Sequence, residues 1–214
     1  MMWSLSSQIE IRDVDIDGER NWHWTRLDQG AWNIPKHDWE TSHKDKFFEY
    51  VRKYDVCVTA GANQGLYTRF YAKKFRRVYA FEPDALNFQC LVLNTPYENV
   101  IKMNCALSSA NGMVGLHRGR IENTGEYKVV ISGELSIPAI TIDSLGLHQC
   151  DLIQLDAEGH EWPIIQGAEN TIKKLKPTII AENGETEQIV KFLSEQGYKC
   201  KDKSCNDSIW VHCA

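Results

Sequence analysis

The sequence predicts an α/β domain with a mostly parallel sheet, and three features of the 214-residue chain indicate it. An apolar run at 56–60 breaks into a glycine loop, Gly61–Gly65, and a helical pattern follows. A second apolar run at 77–82 then ends in Glu82. Beyond it, strand-like and helical segments alternate, and two strand-like segments close the chain. Strand, glycine turn, helix, strand and acid in this order are typical of the first half of a nucleotide-binding domain.

Residues 1–41 precede this pattern, and we expect them to form an irregular cap on a domain that spans 42–214. Five of the seven tryptophans lie there, among charged residues and without a clear period. They could stack on a sugar or form a contact between copies of the chain. Anchoring of the cap to the core is the simpler interpretation.

The remaining elements follow from periodicity. A helix at about 42–53 leads into the first strand. Strands are expected at 56–60, 77–82, 99–104, 152–156 and 178–182, and helices at 65–74, 84–94, 161–175 and 185–196. Crossovers of about one helix imply parallel strands with right-handed connections. Short β-like pieces separated by glycines at 105–142 predict an inserted β or loop region near the site.

The chain ends in two strand-like segments, 197–201 and 208–212, which a polar turn joins. An antiparallel hairpin of this kind is unusual in dinucleotide dehydrogenases. It is the usual end of seven-stranded methyltransferases that use S-adenosylmethionine. The predicted fold class is therefore α/β: a Rossmann-like seven-stranded sheet, mostly parallel with a C-terminal antiparallel hairpin, and helices on both faces.

Composition limits the partners and the compartment. With 24 basic and 29 acidic residues the net charge is −5, and no basic stripe favours nucleic acid. Seven cysteines without a paired framework, no signal-peptide pattern and no apolar stretch of membrane-spanning length predict a soluble, cytoplasmic protein. The C-terminal Cys and His residues lack zinc-site spacing, so we assign no metal. The sequence leaves formation of a homo-oligomer open.

The glycine loop favours one class of cofactor. Its glycines are four positions apart, unlike the GxGxxG of a turn that binds pyrophosphate. S-adenosylmethionine has no phosphate, and Glu82 at the tip of the second strand could accept its ribose hydroxyl protons. A plain tight turn is the alternative for the loop taken alone.

Polar groups crowd the end of the strand at 152–156. Asp156, Glu158, His160 and Glu161 follow it closely, and Glu182 ends the next strand. Ligands of open α/β sheets lie beyond the carboxyl ends of the strands, so we expect these groups to face the substrate. Carboxylates there can orient a hydroxyl and take its proton, and His160 is a further candidate base. A capping network for the following helix is the alternative.

These segments together resemble the FkbM family of S-adenosylmethionine-dependent methyltransferases. The resemblance covers about residues 45–212 and rests on GANQG, FEPD, LVLN, ALSSANG, TIDSL, DLIQLDAEGHE and IIQGAENTI. It implies a Rossmann-like methyltransferase that uses S-adenosyl-L-methionine. It also implies O-methylation of a hydroxyl on a sugar, a glycan or a small natural product.

The resemblance also assigns candidate site residues. It implies that Gly61, Asn63 and Gly65 line the cofactor, that Glu82 holds its ribose, that residues 104–107 border the adenine, and that Asp156 and Glu158 face the methyl group. The full set of candidate cofactor residues is Thr59, Gly61, Ala62, Asn63, Gly65, Glu82, Pro83, Asn104, Ala106, Leu107 and Asp156. The candidate catalytic residues are Asp156, Glu158, His160 and Glu182.

Thr59 departs from the family pattern, which usually has an acid here, as in VDxGAN. Threonine keeps a hydrogen bond but not the charge, so cofactor affinity could fall or another carboxylate could compensate. A non-catalytic relative that serves as a binding or scaffold protein is the alternative function. An NAD-dependent oxidoreductase is disfavoured by the glycine spacing and the terminal hairpin. A divalent cation shared by Asp156 and Glu158 is a variant of the mechanism.

Overall fold

The computed structural model describes residues 8–16, 18–28, 45–119, 122–133, 135–204 and 206–213. The strands are β1 Ile9–Arg12, β2 Trp22–Thr25, β3 Val56–Ala60, β4 Arg77–Phe81, β5 Val100–Met103, β6 Ala106–Leu107, β7 Gly112–His117, β8 Lys128–Val130, β9 Leu135–Ile140, β10 Leu152–Leu155, β11 Thr178–Glu182, β12 Tyr198–Ser204 and β13 Asp207–His212. The helices are α1 45–49, α2 Leu66–Lys74, α3 Ala85–Asn94, α4 Glu161–Gln166, α5 Glu169–Leu175 and α6 Glu187–Glu195, with 3₁₀ turns at Thr124–Glu126 and Asp143–Leu145.

Seven strands form the central sheet in the order β12-β13-β11-β10-β3-β4-β5. The pairs from β11 to β5 are parallel, whereas β13 runs antiparallel to both β11 and β12. The sheet is therefore mixed, with the expected C-terminal hairpin at one edge. The α/β class and the strand positions in this sheet are confirmed.

Helices cover both faces of the sheet because strand side chains alternate between them. On β10, Leu152 packs on one face with Tyr71 of α2 and Leu91 of α3. Ile153 packs on the other face with Ile164 of α4. All five side chains are at most 2% exposed, so both faces are sealed.

The strand order reverses at β3, which places a crevice at the carboxyl ends of the central strands. The chain moves outwards from β3 to β4 and β5, then returns to β10 and β11 on the other side. At such a switch point the connections that follow two neighbouring strands run in opposite directions, so a crevice that can hold a ligand remains between them.

The expected helix at 161–175 is wrong: the structure has two helices, α4 and α5, joined at Gly167 and Ala168. A Cβ on Gly167 would lie 2.0 Å from the carbonyl oxygen of Ser108, so the chain bends where these segments touch. After the bend, the Asp143 carboxylate accepts hydrogen bonds from the backbone N–H groups of Asn170 and Thr171, at 2.9 and 2.8 Å.

The expected helix at 42–53 is also too long. Its residues 42–44 lie outside the described part of the chain, and α1 covers 45–49. The Tyr50 carbonyl then accepts a hydrogen bond from the Thr178 hydroxyl at 2.7 Å instead of extending the helix.

Residues 105–142 form more than a loop. They contain a four-stranded sheet in the order β6-β9-β7-β8, and Leu116 and Ile137 are buried in its own apolar cluster. Gly115 permits the sheet to close, since a Cβ there would lie 2.1 Å from the backbone nitrogen of Gly133.

The N-terminal segment is not irregular over its described residues, because β1 and β2 pair as an antiparallel hairpin. Trp22 and Trp24 are at most 4% exposed and pack with Leu66 and Phe70 of α2. The other three tryptophans of this segment lie outside the described residues. The two that are described anchor the hairpin to the domain. Across the described ranges, the helices are too short or too polar to span a bilayer.

We predict that Gly61→Ala is far more destabilising than Gly146→Ala. Both glycines have left-handed φ values, +72° and +60°, so alanine costs about 1–2 kcal/mol at either position. Only at Gly61 does the new Cβ meet an obstacle, the Asp156 carbonyl oxygen at 1.7 Å, which raises the expected loss to at least about 3 kcal/mol. Urea unfolding followed by circular dichroism measures both. Equal losses for the two variants would contradict the steric argument.

Candidate active site

A cavity of about 490 Å³ opens at the carboxyl ends of β3, β4, β10 and β11. This volume falls within the range of about 300–1,000 Å³ that is typical of small-molecule sites. Most of the residues expected from the sequence line it: Gly61, Ala62, Asn63, Glu82, Pro83, Ala106, Leu107, Asp156, Glu158, His160 and Glu182.

Three expected cofactor residues do not line the cavity. Thr59 is buried in the sheet, where its hydroxyl donates to Oε1 of Gln154 on β10. Gly65 is the N-cap residue that precedes α2, and a Cβ there would lie 3.1 Å from Cδ1 of Leu91. Asn104 donates from Nδ2 to the carbonyls of Glu82 and Pro83, at 2.8 and 3.1 Å. Of the three, Asn104 is bonded directly to residues of the cavity wall, Glu82 and Pro83.

The glycine loop is narrow because two strand ends meet beneath it. Ala62 N–H donates to the Phe81 carbonyl at 2.9 Å, and Asp156 N–H donates to the Ala60 carbonyl at 3.1 Å. Gly61 lies between these contacts, against the Asp156 carbonyl. The absence of a side chain at Gly61 is thus required by the fold itself.

Glu82 is fixed on the glycine loop. Its Oε2 accepts a hydrogen bond from Asn63 N–H at 2.7 Å, and its Oε1 accepts one from Asp84 N–H at 2.9 Å. The side chain is buried, and this burial raises the pKa of its carboxyl to about 8 against the opposing effect of these hydrogen bonds. Glu82 therefore presents a polar group at a defined place in the cavity wall.

Three further acids converge on the other side of β3. Carboxylate oxygens of Asp156, Glu158 and Glu182 lie within 4.8 Å of one another. Burial and then the charge of Glu182 raise the pKa of Glu158 to about 7. Asp207 lies opposite Glu182 in the β11–β13 register, and its pKa is raised to about 7 by burial and by Glu182. A carboxyl group with a pKa near 7, such as that of Glu158, can accept a proton near neutral pH. The oxygens of Asp156, Glu158 and Glu182 are also ligands that suit a hard divalent cation.

His160 and Glu161 follow these acids but differ in role. His160 lines the cavity, with its Nε2 3.0 Å from the Ser108 hydroxyl, and burial lowers the pKa of the imidazole. Glu161 Oε1 instead accepts from the N–H groups of Ala157 and Gly159, at 3.0 and 3.2 Å. The capping alternative therefore describes Glu161, whereas the other polar groups face the cavity.

The structure also places residues in the cavity wall that sequence reasoning missed. They come from the N-terminal hairpin, the glycine loop, α3 and the insertion: Trp24, Asp28, Gln64, Asn87, Asn123, Thr124, Gly125 and Tyr127. Asn87 is 1% exposed, and its Oδ1 has no hydrogen-bond partner among the described residues. Of these residues only Gln64 belongs to a motif recognised in the sequence, the glycine loop. The spacing of the sequence therefore gave no indication that the other residues line the cavity.

Comparisons with known proteins agree with this architecture. Residues 59–200 match the family described as the Methyltransferase FkbM domain. The hexuronic acid methyltransferase AglP of Haloferax volcanii is 27% identical over 155 residues, which cover 69% of this chain. The chain spans 64% of the length of that relative.

Among solved structures, the methyltransferase FkbM of Methylobacillus flagellatus KT superposes with a TM-score of 0.54 at 17% identity. The superposition covers 80% of this chain and 51% of that chain, and it supports the fold. Since the family match extends over well more than half of the sequence, the chain belongs to the FkbM methyltransferase family.

Proposed function

We propose that this chain transfers the methyl group of S-adenosylmethionine to a hydroxyl of a sugar, a glycan or a small natural product. The observation that carries the proposal is the convergence of Asp156, Glu158 and Glu182 in a cavity that also holds Glu82. Family membership supports methyl transfer. The similarity to AglP, a hexuronic acid methyltransferase, supports an acceptor related to sugars.

The residues of the cavity fit the proposed cofactor. Glu82 would hold the ribose hydroxyls, while Pro83, Ala106 and Leu107 offer an apolar surface for the adenine. The unpartnered Oδ1 of Asn87 requires a donor, which a ligand rich in hydroxyl or amino groups supplies. When bound, S-adenosylmethionine supplies a methyl group that its sulfonium activates for attack.

The protein then has two tasks at the acceptor. Holding the acceptor oxygen in line with the methyl carbon and the sulfur can contribute roughly 7–11 kcal/mol. As the O–C bond forms and the S–C bond breaks, the hydroxyl proton must leave, and a positioned base contributes roughly 100- to 10,000-fold. We assign the proton to the Asp156 carboxylate, with Glu158, Glu182 and His160 orienting the hydroxyl.

A binding or scaffold protein without turnover is the second candidate, and Thr59 favours it. The structure places the Thr59 side chain in the sheet against Gln154, so position 59 supplies no charge to the cavity. Detection of a methylated acceptor would exclude this candidate.

We predict that Asp156→Asn lowers turnover by about 100- to 10,000-fold, because the amide cannot take the hydroxyl proton. Mass spectrometry of a panel of neutral glycosides and uronic acids, incubated with S-adenosylmethionine, measures the product. Calorimetry with S-adenosylhomocysteine measures separately any loss of cofactor affinity, since Asp156 is also a candidate cofactor contact. Asp13→Asn, at an exposed position on the N-terminal segment, is the control. Intact turnover in a folded Asp156→Asn variant would make the assignment wrong.

We predict that turnover rises between about pH 6 and pH 8, since the pKa of Glu158 is raised to about 7 and its ionised form orients the acceptor. Stability should change in the opposite direction. Between the ordinary pKa of 4.5 and about 7 the folded state holds a proton that the unfolded state has lost, so stability falls as pH rises. The rate profile and the thermal midpoints of Glu158→Gln should both depend less steeply on pH over this window, while Glu82 and Asp207 continue to contribute to the change in stability. Profiles that match those of the unsubstituted chain would contradict the assignment.

We predict that turnover persists in EDTA, because the proposed mechanism needs only proton transfer and positioning. The assay is the same product measurement with and without chelator. Loss of turnover that Mg²⁺ restores would reassign Asp156, Glu158 and Glu182 as ligands of a divalent cation.

A further inference from the structure

His160 stands at the start of α4, but its side chain does not hold the end of that helix. It is the N-cap residue, and its imidazole makes no capping hydrogen bond. The partly buried side chain lines the cavity instead. Its two ring nitrogens are therefore free for contacts outside the helix.

Ser108 holds one of these nitrogens. Its hydroxyl oxygen lies 3.0 Å from Nε2 of His160. The backbone of Ser108 is fixed on both sides, because its N–H donates to the Ile140 carbonyl at 2.9 Å and its own carbonyl packs against Gly167. Ser108 is 6% exposed, and the described residues that line the cavity do not include it. Nε2 is thus bonded to the wall behind the cavity.

The hydroxyl proton of Ser108 indicates which nitrogen carries the ring proton. A neutral imidazole has one N–H donor and one acceptor nitrogen. If Nε2 carried the proton and donated to Ser108, the hydroxyl proton would have no acceptor among the described residues. An unmade hydrogen bond at a buried group is costly. If Ser108 donates to Nε2, both groups are satisfied, and the ring proton lies on Nδ1.

The imidazole does not form an ion pair with the acids of the cavity. Burial lowers its pKa from the ordinary value of 6.5, and no neighbouring carboxylate raises it. Asp156, Glu158 and Glu182 line the same cavity. His160 is therefore a neutral group beside them at neutral pH.

Nδ1 is the nitrogen that a ligand can reach. It has no hydrogen-bond partner among the described residues, and it is not one of the buried atoms left without a partner, so it keeps accessible surface. Ionised carboxylates only accept hydrogen bonds. A sugar hydroxyl both donates and accepts, so a cavity that binds one among acids also needs a donor. The Nδ1–H group of His160 supplies it.

We propose that the Ser108 hydroxyl fixes His160 in the Nδ1–H form, and that this N–H donates a hydrogen bond to an oxygen of the acceptor. His160 then orients the acceptor and does not take its proton. Ser108 is a positioning residue, since it acts through His160. The inference rests on the proposed function and specifies how the acceptor is held.

Nitrogen NMR of isotope-labelled protein tests the tautomer without any acceptor. At about pH 8 an ordinary imidazole is neutral, and its protonated and unprotonated nitrogens have separate chemical shifts. We expect the proton of His160 on Nδ1, in signals assigned by their loss from the spectrum of His160→Asn. Ser108→Ala should weaken this preference, and Ser108→Thr, which keeps a hydroxyl, should restore it. A proton on Nε2 in the unsubstituted chain, or an unchanged tautomer in Ser108→Ala, would overturn the inference.

Two substitutions of His160 separate a donor from a base and from a structural contact. Asparagine places its amide nitrogen as many bonds from Cα as Nδ1, so His160→Asn keeps a donor but cannot take a proton. Glutamine reaches as far as Nε2, so His160→Gln keeps the contact with Ser108 and loses the donor. We expect kcat/KM for the acceptor to stay within about threefold in His160→Asn and to fall about 5- to 100-fold in His160→Gln, mainly through KM, because the acceptor oxygen then lacks its donor.

The assay is the product measurement on the panel of neutral glycosides and uronic acids, with saturating S-adenosylmethionine and the acceptor that is methylated fastest. His148→Asn, the same substitution at an exposed histidine, is the control and should leave the rate unchanged. Circular dichroism establishes that each variant is folded. Losses of about 100- to 10,000-fold in both His160 variants would identify a base and overturn the inference. A loss in His160→Asn alone would identify a purely structural contact with Ser108 and would also overturn it.

The inference and the proposed function fail in different ways. If the unsubstituted chain methylates no acceptor of the panel, the proposed function fails, and the donor role fails with it. If the chain methylates an acceptor while the ring proton lies on Nε2, the roles of Ser108 and His160 fail and the proposed function stands.

Discussion

The site depends on the contact between the ends of β3 and β10. Gly61 lies against the carbonyl oxygen of Asp156 so closely that a Cβ would come within 1.7 Å of it. This approach narrows the loop and directs the chain after β10 into the crevice. Asp156 and Glu158, which follow β10, line the cavity beside this contact. Gly61 is a candidate cofactor-binding residue, but the close packing of β3 against β10 already requires a glycine at this position.

The convergence of acids has opposite consequences for stability and for chemistry. Burial raises the pKa of Glu82, Glu158 and Asp207 towards or above neutral pH, so ionising them costs folding free energy. The same burial prepares carboxyl groups to exchange a proton near neutral pH. Hydrogen bonds from Asn63 and Asp84 fix Glu82 in spite of that cost. A polar ligand would offset part of this free-energy cost by supplying hydrogen-bond donors and positive charge to the carboxylates.

The cavity wall is assembled from three separated parts of the chain. Gln64 connects the glycine loop to the N-terminal hairpin, and Asn87 donates from Nδ2 to the Thr124 carbonyl of the insertion at 3.1 Å. Thr25 and Asp28, outside the family match, thus contact Gln64 within it, at buried hydrogen bonds that water cannot easily replace.

The sequence by itself determined the order of the elements, the glycine loop, the strand-end acids and the family, because these depend on local periodicity and on motifs read within a few residues. It did not determine the break at Gly167, the insertion's own sheet, the β1–β2 hairpin or the place of Thr59. Each of these features depends on contacts with residues that are distant in the sequence. Ser108 packs against Gly167, Gly133 against Gly115, Gln154 against Thr59, and α2 against Trp22 and Trp24. Only the tertiary structure brought Asp28 to Gln64, 36 residues away along the chain, because a buried carboxylate is positioned by the donors that surround it.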